Sequence, residues 1–139
     1  MKTLTLTIVL VLTSFLGFSQ DDKGQNITVT IENVQNDKGK VIFALHTKST
    51  FMQGPGVDNL ETSIKDGKVS VTFKNVKPGE YAILALHDEN ENKQMDFQAN
   101  GMPKEAYGTT NNPMFYGPPQ YNEAKFTVAD KDLTFKIRF

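Results

Sequence analysis

Apolar and polar residues alternate along most of this chain, and turn residues cut the alternation at short intervals. Ile27, Val29 and Ile31 alternate with Thr28, Thr30 and Glu32. A period of two with β-branched residues predicts a strand with one wet face. Residues 40–46 and 81–87 predict two more strands, apolar at nearly every position, so that both faces call for cover. Residues 60–65 and 68–74 predict a hairpin about Asp66-Gly67, a pair that favours the mirror-image turn matching strand twist. Pro78-Gly79 fits a type II turn. Residues 124–128 and 133–139 predict a last hairpin about Ala129-Asp130-Lys131. No helix is expected.

Seven strands with closely spaced turns predict an all-β fold: a seven-stranded antiparallel sandwich of immunoglobulin or prealbumin type. One long inter-strand loop, at about 88–121, has no clear period. A loop of that length in a small domain is usually functional or disordered.

The N-terminus changes the picture of where this domain works. Lys2 precedes an apolar run from Leu4 to Leu16, and Gly17-Phe18-Ser19 places small residues where a signal peptidase reads. Residues 1–19 are expected to be a signal peptide, 20–26 a flexible leader and 27–139 a single sandwich domain. The expected location is periplasmic or secreted. The run is shorter than the roughly 20 residues a membrane span needs, so no stable membrane insertion is expected after cleavage. The chain holds 15 Lys+Arg against 16 Asp+Glu, with no basic block, so nothing argues for nucleic acid. Cysteine and tryptophan are absent. That excludes thiol catalysis, thiolate metal sites and an antibody-like Cys-Trp-Cys core.

The loop carries the candidate chemistry. With Asp88 as position 1 of a calcium loop, oxygen donors fall at Asp88, Asn90, Asn92 and Asp96, and the Gln94 carbonyl stands at position 7. Ca²⁺ is the cofactor this spacing suggests. Lys93 occupies the position where such loops have Gly, and Ala99 the position of the bidentate Glu, so a weak site of ~0.1–1 mM is expected. The competing reading is that Asp and Asn bond their own backbone, as they do in turns. His87, Glu105, Tyr107, Asn111, Asn112, Tyr116 and Tyr121 form a candidate ligand or partner surface, since Tyr offers apolar area with a polar tip. The competing reading has at least half of the loop aromatics folding back to cap the sandwich. His46 and His87 each end a predicted strand. If both imidazoles met on one rim beside Asp88, a small metal-dependent enzyme would be the alternative function.

Residues 86–96 (Leu-His-Asp-Glu-Asn-Glu-Asn-Lys-Gln-Met-Asp), Gly101-Met-Pro-Lys-Glu-Ala-Tyr-Gly108, Asn111-Asn112 and residues 119–126 resemble a family of exported bacterial domains of unknown function. Its pattern is His-Asp-x-Asn-x-Asn-Gly-Lys-x-Asp, then Gly-x-Pro-x-Glu-x-Tyr-Gly and Ser-Asn-Asn. The resemblance covers roughly residues 27–139 and implies a periplasmic or secreted β-sandwich with no established activity. This chain departs from it at Lys93-Gln94, where the family has Gly-Lys, and at Thr110, where Ser is usual. It also carries an extra residue between Asp96 and Gly101. The Phe-Ser-Gln signal ending looks like those of Bacteroidetes-type bacteria.

The expected protein is an exported, non-catalytic binding or accessory module of the cell envelope. Its expected partner is an envelope protein or a small ligand. A third reading is a purely structural interaction domain.

Overall fold

The computed structural model describes residues 23–114 and 116–139. The expected signal peptide and the first leader residues lie outside this range. Eight strands and one helical turn follow in order: β1 (Gln25–Ile31), β2 (Lys40–His46), β3 (Asp58–Ser63), β4 (Val69–Val76), β5 (Gly79–Asp88), β6 (Tyr107–Thr109), α1 (Tyr121–Ala124), β7 (Phe126–Val128) and β8 (Leu133–Lys136). They form two sheets, β4-β1-β8 and β3-β2-β5-β6, with β7 also paired to β5. The fold is the expected all-β sandwich, with β6 added inside the predicted long loop. At three residues, β6 is too short to stand out from sequence alone. The same holds for α1, a single turn. β1 opens at Gln25, two residues inside the expected leader.

The alternating residues do what their period demands. Ile27, Val29 and Ile31 of β1 are fully buried, facing Val41, Phe43 and Leu45 of β2 and Ile83 and Ala85 of β5 across the core. Each such side chain contributes about 1.5–3 kcal/mol through burial.

Both expected hairpins open out between the sheets. The Asp66-Gly67 turn forms with φ of 53° and 70° and is closed by the Lys65↔Lys68 bridge. Beyond that bridge β3 pairs with β2 while β4 pairs with β1, so the turn is a corner between sheets. The last two strands also separate. β7 runs antiparallel to β5 and β8 runs parallel to β1. Alternation shows which face of a strand is buried without naming its partner. Phe126 and Phe135 still meet across the core, with ring centroids 4.5 Å apart.

β5 is the central strand. Its inner residues fill the core, and β2 lies along one side. Along its other side lie two short strands, β6 beside its C-terminal half and β7 beside its start. The excursion between β6 and β7 carries the turn at Asn111-Asn112 and α1.

Candidate functional site

The long loop leaves β5 at Asp88 and returns into β6 at Tyr107. It is tied down by two buried carboxylates. Asp88, 1 % exposed, accepts the backbone N–H of Asn92 at 3.1 Å on Oδ1 and that of Lys93 at 2.8 Å on Oδ2. Glu105, also buried, accepts the N–H of Glu89 at 3.0 Å and that of Asp96 at 3.2 Å. Each therefore closes a backbone ring that neutral side chains would hold less strongly, since bonds to charged acceptors exceed neutral ones. Glu91 and Lys93 take positive φ of 56° and 63°. The bend expected of Gly is thus made by Lys93 at some strain.

Asn90, Asn92 and Asp96 are brought together within this knot. Asn90 Nδ2 donates to Asp96 Oδ2 at 2.6 Å, and Asn92 Nδ2 donates to both Asp96 oxygens at 3.0 and 3.1 Å. The Asn oxygens turn to the backbone: Asn90 Oδ1 accepts Asn92 N–H and Asn92 Oδ1 accepts Gln94 N–H. Asn90, Asn92 and Asp96 are thus joined by side-chain hydrogen bonds, and Asp88 joins them through the backbone of Asn92, while Gln94 stays exposed. No basic side chain among the described residues forms an ion pair with Asp88, Asp96 or Glu105. Among the described residues, no group of three or more His, Cys, Asp or Glu side chains is arranged to hold a metal.

The first turn of the chain clamps the root of this loop. His87 is buried and its Nε2–H donates to the Lys38 carbonyl at 2.8 Å. Asn36 Nδ2 donates to Glu89 Oε1 at 3.2 Å. Gly39, at φ 65°, passes so close that a Cβ there would stand 2.0 Å from the Asp88 carbonyl oxygen. His87 and Glu105 are thus bonded inward and offer no surface.

The two histidines lie at opposite ends of the sandwich. In the β2–β5 register Val41 faces His87 and His46 faces Ala82. That separates them by five positions, roughly 17 Å along the strands at ~3.3 Å per residue. The alternative enzyme built on His46, His87 and Asp88 needed the imidazoles to share a metal, and this register denies it. His46 instead bonds Thr50 Oγ1 through Nδ1 at 3.2 Å and meets Phe51 edge-on. Burial lowers its pKa from the ordinary value.

Asn111 and Asn112 are also structural. Both adopt positive φ, which Asn tolerates. Asn111 Nδ2 donates to the Glu123 and Lys125 carbonyls. Asn112 Nδ2 donates to Lys136 O and its Oδ1 accepts Arg138 N–H, both at 2.8 Å. One amide side chain thus stands in for a strand on the free edge beyond β8. Thr110 donates through its hydroxyl to Ala124 O and accepts Ile83 N–H. Beside it, Thr109 Oγ1 is buried with no hydrogen-bond partner among the described residues. The described loop aromatics divide, and Phe115 lies outside the described residues. Tyr121 folds back onto Phe51, with ring centroids 5.7 Å apart. Tyr107 is half-buried and Tyr116 is 98 % exposed.

What the knot supports is a groove that the motifs did not point to. Its cavity is about 680 Å³. It is lined by Leu84 and Leu86 of β5, by Met95, Phe97 and Met102 of the long loop, and by Tyr116 and Met52. Met52, Phe97, Met102 and Tyr116 are large apolar side chains exposed there together. The signal for it was present in the sequence: β5 is apolar on both faces, and only its inner face has a core to fill.

Two sheets over one core, with a hydrogen-bonded Asx loop on the central strand, define an all-β sandwich domain. The chain belongs to the bacterial family described as "Uncharacterized protein conserved in bacteria (DUF2141)", which it matches over residues 29–136, from within β1 to the end of β8. No curated protein and no solved structure matches it.

Proposed function

We propose that this chain is an exported, non-catalytic binding module of the cell envelope, with the grooved outer face of β5 as its recognition surface. One observation carries the reading. Met52, Phe97, Met102 and Tyr116 stand exposed around a single groove, and apolar surface gathered in one patch marks binding sites on soluble domains. The Asp/Asn loop is the support of that face. No helix among the described residues is long and apolar enough to cross a membrane.

Ca²⁺ belongs to the same proposal as a structural ligand of the loop. Asp88 and Glu105 each accept one backbone N–H on each carboxylate oxygen, so those oxygens retain a second acceptor site for a cation. Thermal unfolding in EDTA and in millimolar Ca²⁺ tests this part. A rise of several degrees that disappears in Asp88→Ala supports it. No rise with Ca²⁺ removes the ion from the proposal.

The recognition surface is tested in cells. A photo-crosslinking phenylalanine analogue replaces Phe97 on the groove wall or Lys131 in the exposed link between β7 and β8. Adducts from position 97 and none from 131 are expected. Adducts from 131 alone would overturn the assignment of the face.

A further inference from the structure

We propose that the groove over β5 takes a small, uncharged, apolar molecule carrying a hydrocarbon chain. This rests on the reading of that face as the recognition surface and adds the class of ligand.

Size comes first. A cavity of about 680 Å³ falls within the ~300–1,000 Å³ usual for small-molecule sites. Leu84 and Leu86 of β5 line it together with Phe97, Met102, Tyr116 and Pro118.

Chemistry narrows the occupant further. Among the described residues, no Asp, Glu, Lys, Arg or His lines the groove, and the phenols of Tyr107 and Tyr116 are the only polar side-chain groups that do. A charged ligand would shed its hydration there and receive no countercharge in exchange. The second cavity, of about 440 Å³ between β6 and the C-terminal residues, differs in kind, being lined by Asn33, Asn112 and Arg138.

The lining also suits a chain of variable shape. Met52, Met95 and Met102 all line the groove. Unbranched thioether side chains adapt to irregular apolar surfaces, so the site selects a class of ligand rather than one outline. The β5 part is rigid by contrast, because Leu84 and Leu86 belong to the central strand and are held in register with β2 and β6.

The test uses the purified protein and N-phenyl-1-naphthylamine, an uncharged probe that fluoresces in apolar surroundings. A saturable rise is expected, with one probe bound per chain and displacement by oleyl alcohol, an uncharged hydrocarbon-chain competitor. A Phe97→Ser/Met102→Ser double variant, at positions 58 % and 59 % exposed, should weaken binding about tenfold or more through lost apolar contact. Tyr116→Ser, at an almost fully exposed position, is the second variant and should also weaken it. Met114→Ser, exposed but outside the groove, should leave it unchanged. No saturable rise, or unchanged affinity in both wall variants, overturns the proposal. If the probe fails while position 97 still crosslinks to a protein in cells, the ligand class is wrong and the surface stands. If both fail, the surface reading falls as well.

Discussion

The carboxylate of Asp88 accepts the backbone N–H of Lys93 at 2.8 Å, while Lys93 itself sits at a φ of 63°. The bond and the strain belong together: a buried anion holds a non-glycine residue in the left-handed region. Asp88→Ala should destabilise the domain by about 1.5–3 kcal/mol, the worth of hydrogen bonds to a charged group. Lys93→Gly should act the other way. It relieves a conformation that costs non-glycine residues roughly 1–2 kcal/mol, offset in part by the greater entropy of Gly in the unfolded chain. A net gain of up to about 1 kcal/mol is expected from these two terms. Denaturant unfolding checks both, and a loss of stability in Lys93→Gly would contradict the account.

Thr109 offers a substitution toward greater stability. Its hydroxyl is buried without a partner, and an unmade buried hydrogen bond is costly. Thr109→Val keeps the shape, removes the orphan oxygen and suits a strand. A gain of about 1 kcal/mol is expected, read as a higher unfolding temperature. A loss instead would mean that this oxygen has a partner in solution.

Asn112 should matter through the last residues of the chain. It bonds Lys136 O and Arg138 N–H. Asn112→Gly keeps the positive φ accessible and removes only the amide. A stability loss of about 1–2 kcal/mol is expected from two bonds. Hydrogen exchange at the Arg138 amide should quicken markedly, while amides of β2 remain protected. Unchanged exchange at Arg138 would show that the side chain is not what holds this edge.

His46 sets a dependence on pH. Burial lowers its pKa in the folded state, so folding favours the neutral ring. The unfolded chain takes up a proton near the ordinary value of about 6.5. The contribution to stability is therefore complete above that value. It is lost as pH falls through it, and the loss levels off below the folded pKa. His46→Gln removes this titration. Between about pH 7 and pH 5 the wild type should lose more stability than the variant. Parallel losses would sink the assignment.

Spacing placed Asp88, Asn90, Asn92 and Asp96 in one loop, and hydrogen bonds tie them together there. Which atoms face which depended on the backbone bend at Glu91 and Lys93, and no residue type at those positions announces positive φ. Glu105 joins the knot from across the loop, a contact made by folding rather than by spacing. Asn111 and Asn112 looked like ligands because exposed amides recognise many things. Only β8 and α1, brought alongside, show that their bonding capacity is used within the fold.

Local order was legible throughout. Period-two alternation gave strands and their buried faces, because side chains on a strand point alternately to its two sides. Asp66-Gly67 gave its turn through dihedral preference alone. Partnership was not legible, because many alternating segments can satisfy the same face. Hence β3 parts from β4, β7 from β8, and β8 runs parallel to β1. The groove has the same cause. Leu84 and Leu86 advertise apolar surface in the chain, but what covers them is contributed by residues 52, 95–103 and 116–119, distant in sequence. Their meeting is a property of the packed sandwich, set by the long-range contacts that burial of its core stabilises.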